Sequence, residues 1–161
     1  MHPQWDNFFL AETGAAAALT GLLFVAVSIN ITEILRFAWL PGRAGETLTL
    51  LVGALIAASL VLLPEQSTTS LGIEVVVIGL AVWTMVTIIE VRARRYPEYR
   101  EHGAYYPRVA LLQVATLPAV VAGIILLTGS LDGFYVLAAG IMISFVVAVL
   151  NAWILLVEIR R

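Results

Sequence analysis

The stretch from Glu12 to Arg36 constrains this chain more than any other. It opens Glu12-Thr13-Gly14 and continues as an apolar run to Leu35 whose only charge is Glu33. A helix of about 22 residues, at about 1.5 Å per residue, reaches roughly 33 Å, the thickness of a bilayer core. The chain therefore reads as an integral membrane protein. Composition agrees: 61% of its 161 residues are hydrophobic and only 12% are charged, against about 25% charged in a soluble domain. There is no cysteine, which excludes disulfides, thiolate nucleophiles and cysteine metal sites. The residues from Met1 to Asp6 lack the basic start of a signal peptide, and the apolar run is too long for a signal-peptide core. The first span is therefore expected to remain in the mature protein.

Four more apolar runs follow. The fold class expected is all-α: a single transmembrane domain over residues 1–161, a bundle of five helices spanning about 12–35, 47–63, 71–91, 109–129 and 134–158. Residues 1–11 place Trp5, Phe8 and Phe9 beside Asp6 and Asn7, a mixture suited to the lipid headgroup level. Arg36 to Glu46 reads as a loop because Pro41-Gly42 is a turn signal. That leaves the second span the shortest. Pro118 is expected to kink the fourth.

Small residues recur along four spans: Gly14, Ala18, Gly21 and Ser28; Thr49, Gly53 and Ala57; Ala115, Ala119 and Gly123; Gly140, Ser144 and Ala148. Rows of this kind let helices approach closely in lipid. A five-helix bundle cannot easily turn all four rows to its own centre, so a homo-oligomer is expected.

Orientation follows from the basic residues. All nine are arginines: Arg36 and Arg43 in the first loop, Arg92, Arg94, Arg95, Arg100 and Arg108 in the third, Arg160 and Arg161 at the end. The N-terminal segment and the other two loops have none. The positive-inside rule then puts the N-terminus outside and the C-terminus in the cytoplasm. Arg92, Arg94, Arg95 and Arg100, interleaved with tyrosines, suit anionic lipid headgroups rather than nucleic acid.

Two polar groupings are candidates for function. Asn30, Glu33, Thr87, Glu90, Gln113, Thr116 and Asn151 fall at comparable depth in the cytoplasmic half, on four different spans. Polar groups in lipid turn inward, so these could line an ion path. The alternative is that the amides tie helices together while Glu33 and Glu90 reach the interface beside arginines. On the outer side, Glu12, Glu74 and Asp132 could form an acidic mouth that gathers cations. The alternative there is that acids near helix N-termini answer the helix dipole. Glu98 and His102 have a chelating spacing but sit in a charged loop, and no metal site or cofactor is expected. Trp83 and Trp153 read as packed mid-span aromatics. The sequence carries no H-E-x-x-H, G-x-S-x-G, Walker or G-x-G-x-x-G motif, so no enzyme is expected.

The segment Trp5-Asp6-Asn7-Phe8-Phe9, through Glu12-Thr13-Gly14 to Val27-Ser28-Ile29-Asn30, resembles a group of small bacterial membrane proteins. Some of them are described as modulators of a membrane-bound ATP-dependent protease. The resemblance implies a multi-pass protein of the bacterial plasma membrane and carries over no functional residue. Two functions stay open. One is an accessory or regulatory protein that acts through helix–helix contacts, with its own copies or another membrane protein. The other is a small oligomeric cation channel or transporter using the cytoplasmic-half polar residues.

Overall fold

A computed structural model describes the backbone of residues 3–96 and 105–158, and the side chains of 5–96 and 106–156. Among these residues every regular element is helical: α1 Pro3–Ile29, the single turn α2 Ile31–Ile34, α3 Leu40–Val61, α4 Thr68–Ala93, α5 Tyr105–Leu127 and α6 Asp132–Glu158. Five of them are long and apolar enough to cross a membrane. This defines a multi-pass helical membrane protein.

Local chemistry sets the ends. Ser67 caps α4, its hydroxyl accepting from the Ser70 amide at 3.1 Å. Gly129 follows α5 at φ +82°, a left-handed conformation that glycine adopts without a Cβ penalty. Pro41 lies in the first turn of α3. Its missing N–H is one that a helix start would leave unbonded, and its fixed φ already suits the helix. The expected loop from Arg36 to Glu46 is therefore shorter: α3 begins at Leu40 and takes Glu46 into the span.

The helices α3, α4, α5 and α6 form a closed ring, each packed on its two neighbours, and α1 lies outside against α3 with only slight contact to α6. Where α1 leaves α6, an apolar groove of about 200 Å³ opens among Leu22, Ala26, Leu51, Ala148 and Leu155. The ring is tightest between α4 and α5. A Cβ on Gly123 would stand 2.7 Å from the Val76 amide nitrogen, and one on Gly72 2.8 Å from that of Leu127. Backbone meets backbone there, so nothing larger than hydrogen fits.

The row on α1 behaves differently. Ala11, Gly14, Ala18, Gly21, Val25 and Ser28 are all exposed, and a Cβ on Gly14 or Gly21 would meet nothing within 4 Å. The rows on α3, α5 and α6 are consumed inside the ring.

Two further expectations change. Among the described residues, 3–11 are not a separate interfacial segment, because α1 begins at Pro3 and runs through them. Phe9 is fully buried, and Trp5 stacks on Phe134 with ring centroids 5.8 Å apart, fastening α1 to the start of α6. Trp153 faces outward at 68% exposure. It meets lipid rather than packing inside.

Candidate functional site

The antiparallel helices put the described arginines at one end of the bundle and Asp6, Glu12, Glu65, Glu74 and Asp132 toward the other. At the basic end three charges are buried together. Glu46 lies six residues into α3, about 9 Å along its axis, and is 1% exposed. Glu90 lies one turn before the end of α4 and is also buried. Arg108 enters from the first turn of α5 with its side chain 10% exposed.

One guanidinium serves both carboxylates. Arg108 Nη2 donates to Glu46 Oε2, and Arg108 Nε lies 3.1 Å from Glu90 Oε1, an ion pair by distance without a well-aligned N–H. The two carboxyl groups thus lie side by side on one cation. The second oxygen of Glu46, Oε1, is enclosed and accepts no hydrogen bond. Just beside it on α3, the Thr47 hydroxyl is committed to the Arg43 carbonyl at 2.9 Å, and the Arg43 guanidinium stands 5.7 Å from the centre of the Trp39 ring. The triad therefore links three helices at one end and is buried, where an unpaired charge is costly.

The seven residues expected to share one depth do not form one cluster. Glu90 joins the triad. Gln113 Oε1 accepts from Trp83 Nε1 at 2.6 Å, joining α4 to α5. Thr116 donates to Leu112 and Asn30 to Ala26, each within its own chain turn at 2.9 and 2.8 Å. Glu33 pairs with Arg36 at 2.7 Å on the surface, with side chains 38% and 67% exposed. Thr87 Oγ1 and Asn151 Nδ2 are enclosed without a hydrogen-bond partner. At mid-bundle, a cavity of about 30 Å³ bounded mainly by apolar side chains, with Thr116 and Ser144, has room for about one water.

The acidic residues of the other end are likewise separate. Glu74 Oε2 accepts from Gln66 Nε2 across the turn between α3 and α4. Asp132 accepts from the Ser130 hydroxyl at 3.0 Å at the start of α6. Glu12 Oε2 is enclosed without a partner. Among the described residues no three His, Asp or Glu side chains gather closely enough to hold a metal. Arg92, Arg94 and Arg95 are exposed at the end of α4. Arg100, Glu98, His102, Arg160 and Arg161 lie outside the described residues.

Sequence reasoning missed Glu46 and the true place of Arg108. A signal existed: reading Pro41 as a first-turn proline rather than a loop residue lengthens the shortest span and carries a lone glutamate into it. Comparison of the chain with protein families, with curated proteins and with solved structures finds no match.

Proposed function

We propose that this chain is an accessory or regulatory protein of the bacterial plasma membrane, its N-terminus outside and its C-terminus cytoplasmic, that self-associates and acts through helix–helix contacts made by α1. One observation carries the reading. The row Ala11, Gly14, Ala18, Gly21, Val25 and Ser28 alternates steps of three and four residues, lies wholly on the surface, and has open space over its glycines. That spacing is the seam of a left-handed helix pair. Small side chains there let a second backbone come near, which in lipid replaces the hydrophobic drive as the source of attraction.

A second copy of the same face is the partner that symmetry favours. Two chains inserted in the same direction can be related by a two-fold axis along the membrane normal, which sets each seam against itself. The seam holds no charge, so nothing repels an identical copy. Orientation is supported by the one-sided arginines.

The absence of cysteine makes the natural chain a clean background for crosslinking. Ala18→Cys and Val25→Cys, oxidised in native membranes, should each give a disulfide-linked dimer, while Leu22→Cys, turned off the seam, should not. Equal crosslinking at all three positions, or at none, overturns self-association through this face.

A further inference from the structure

We propose that Glu46, Glu90 and Arg108 form a proton-binding site, in which one proton is held between the two carboxyl groups and the Arg108 guanidinium neutralises the single remaining negative charge. Three features of the geometry support this assignment. Both carboxylates converge on one guanidinium, Glu46 through Nη2 and Glu90 through Nε at 3.1 Å. Both acids are buried. Two ionised carboxylates buried beside one guanidinium repel each other, and a single proton shared between them removes that repulsion. Finally, Glu46 is 1% exposed and its Oε1 is enclosed with nothing donating to it. An ionised oxygen in that position would be a buried charge without a partner.

A proton fits better than a metal ion. A hard cation calls for about six oxygen ligands. Here the Thr47 hydroxyl is already donating to the Arg43 carbonyl, and no third acid or histidine joins the pair among the described residues. Outside α3, the other charged or titratable side chains described at this end of the bundle are Arg92, Arg94, Arg95 and Tyr96 after Glu90, Tyr106 before Arg108, and the Glu33–Arg36 pair beyond α1, all of them partly or largely exposed. The stretches 13–32 of α1 and α2, 75–89 of α4, 109–127 of α5 and 136–156 of α6 contain none. On α3 the nearest charge is Arg43, held over Trp39.

The site closes the basic end of α3, α4 and α5, so its proton is linked to how tightly those helices meet. With the proton bound, the site has no uncompensated charge. Removing the proton leaves two buried carboxylates on one guanidinium, and the packing of three helix ends loosens. Raising the pH should therefore lower stability.

Infrared spectroscopy of the full-length protein in lipid nanodiscs at neutral pH tests this directly. The wild type should show the C=O stretch of a protonated carboxylic acid. Glu46→Gln and Glu90→Gln should each abolish it, since either leaves a single carboxylate paired with Arg108. The comparison is made in a Glu12→Gln background, because Glu12 Oε2 is also enclosed without a partner and supplies an acid band of its own if protonated; the triad's band persists there and is lost on adding either triad substitution. The wild-type midpoint of thermal unfolding should fall as the pH is raised, while that of Glu46→Gln stays flat. A wild-type spectrum without the acid band at neutral pH overturns the proposal. So does a band that, with Glu12 replaced by Gln, survives both triad substitutions. If a variant fails to fold, the wild-type band and midpoint decide: the midpoint must fall as the pH rises from the acid range toward the pH at which the band disappears, and a midpoint indifferent to pH over that range rejects the site.

Discussion

Helices α5 and α1 carry the same device and use it in opposite ways. Each has glycine at helix-packing spacing in an apolar span. Gly123 on α5 sits so close to α4 that a methyl group would stand 2.7 Å from a backbone nitrogen, while Gly14 and Gly21 on α1 have nothing within 4 Å. The difference lies in topology rather than residue type. A row of small residues shows that a helix can be approached closely; the order in which helices join the ring decides which rows are approached. The ring uses α3, α4, α5 and α6. By joining from outside, α1 keeps its row unspent.

The ring is also where charge is locked away, and that gives the largest expected contrast. Arg108→Ala leaves Glu46 and Glu90 buried with no cation between them. Breaking a buried ion pair from one side typically costs about 3–5 kcal/mol, and a loss in that range is expected from denaturant unfolding in detergent. Arg36→Ala, on the exposed pair with Glu33, should cost roughly 0–1 kcal/mol. If the two substitutions proved equal, the triad would not be holding the ring together.

Next in size is the seam itself. Gly123→Val must push Val76 and the α4 backbone outward. Overpacking commonly costs about 1–3 kcal/mol, and backbone contact on both sides puts this position at the upper end. The matched change Gly14→Val meets open space and should leave the midpoint of unfolding almost unmoved. A Gly123→Val protein as stable as the wild type would mean that α4 and α5 stand further apart than their backbones indicate.

Hydropathy made the five crossings legible, because the length of an apolar run is a direct measure of what it can span. The helix ends were less so. Pro41 reads equally as a turn residue and as a first-turn helix residue, and the choice moved Glu46 from a loop into the bundle. Depth could be read from residue number, which is why Glu90 and Asn151 were expected inside. Rotation could not. Whether a side chain at a given depth faces its own ring, a neighbour or lipid depends on packing among helices distant in sequence. Hence Gln113 finds Trp83 rather than Asn30, Trp153 faces out, and Arg108 turns inward although it follows a run of exposed arginines on α4.

The smallest effect on stability is expected where the effect on assembly is greatest. Gly21→Leu adds four carbons to a face that no other helix of the same chain touches. Within the protomer it meets lipid in place of lipid, so unfolding should shift by no more than about 0.5 kcal/mol, as at other surface positions away from special contacts. Between protomers it should be severe. A leucine at the centre of a small-residue seam holds two backbones apart by more than its own width, and attraction that depends on close contact falls away with that gap. The expected result is a protein with wild-type helicity and unfolding midpoint whose mass in mild detergent drops to a single protomer and whose Ala18→Cys crosslink disappears. A dimer that persists in Gly21→Leu places the interface on another face. A protomer that unfolds readily shows instead that α1 needs this surface for its own fold. Either result would remove the contrast between the spent row on α5 and the free one on α1.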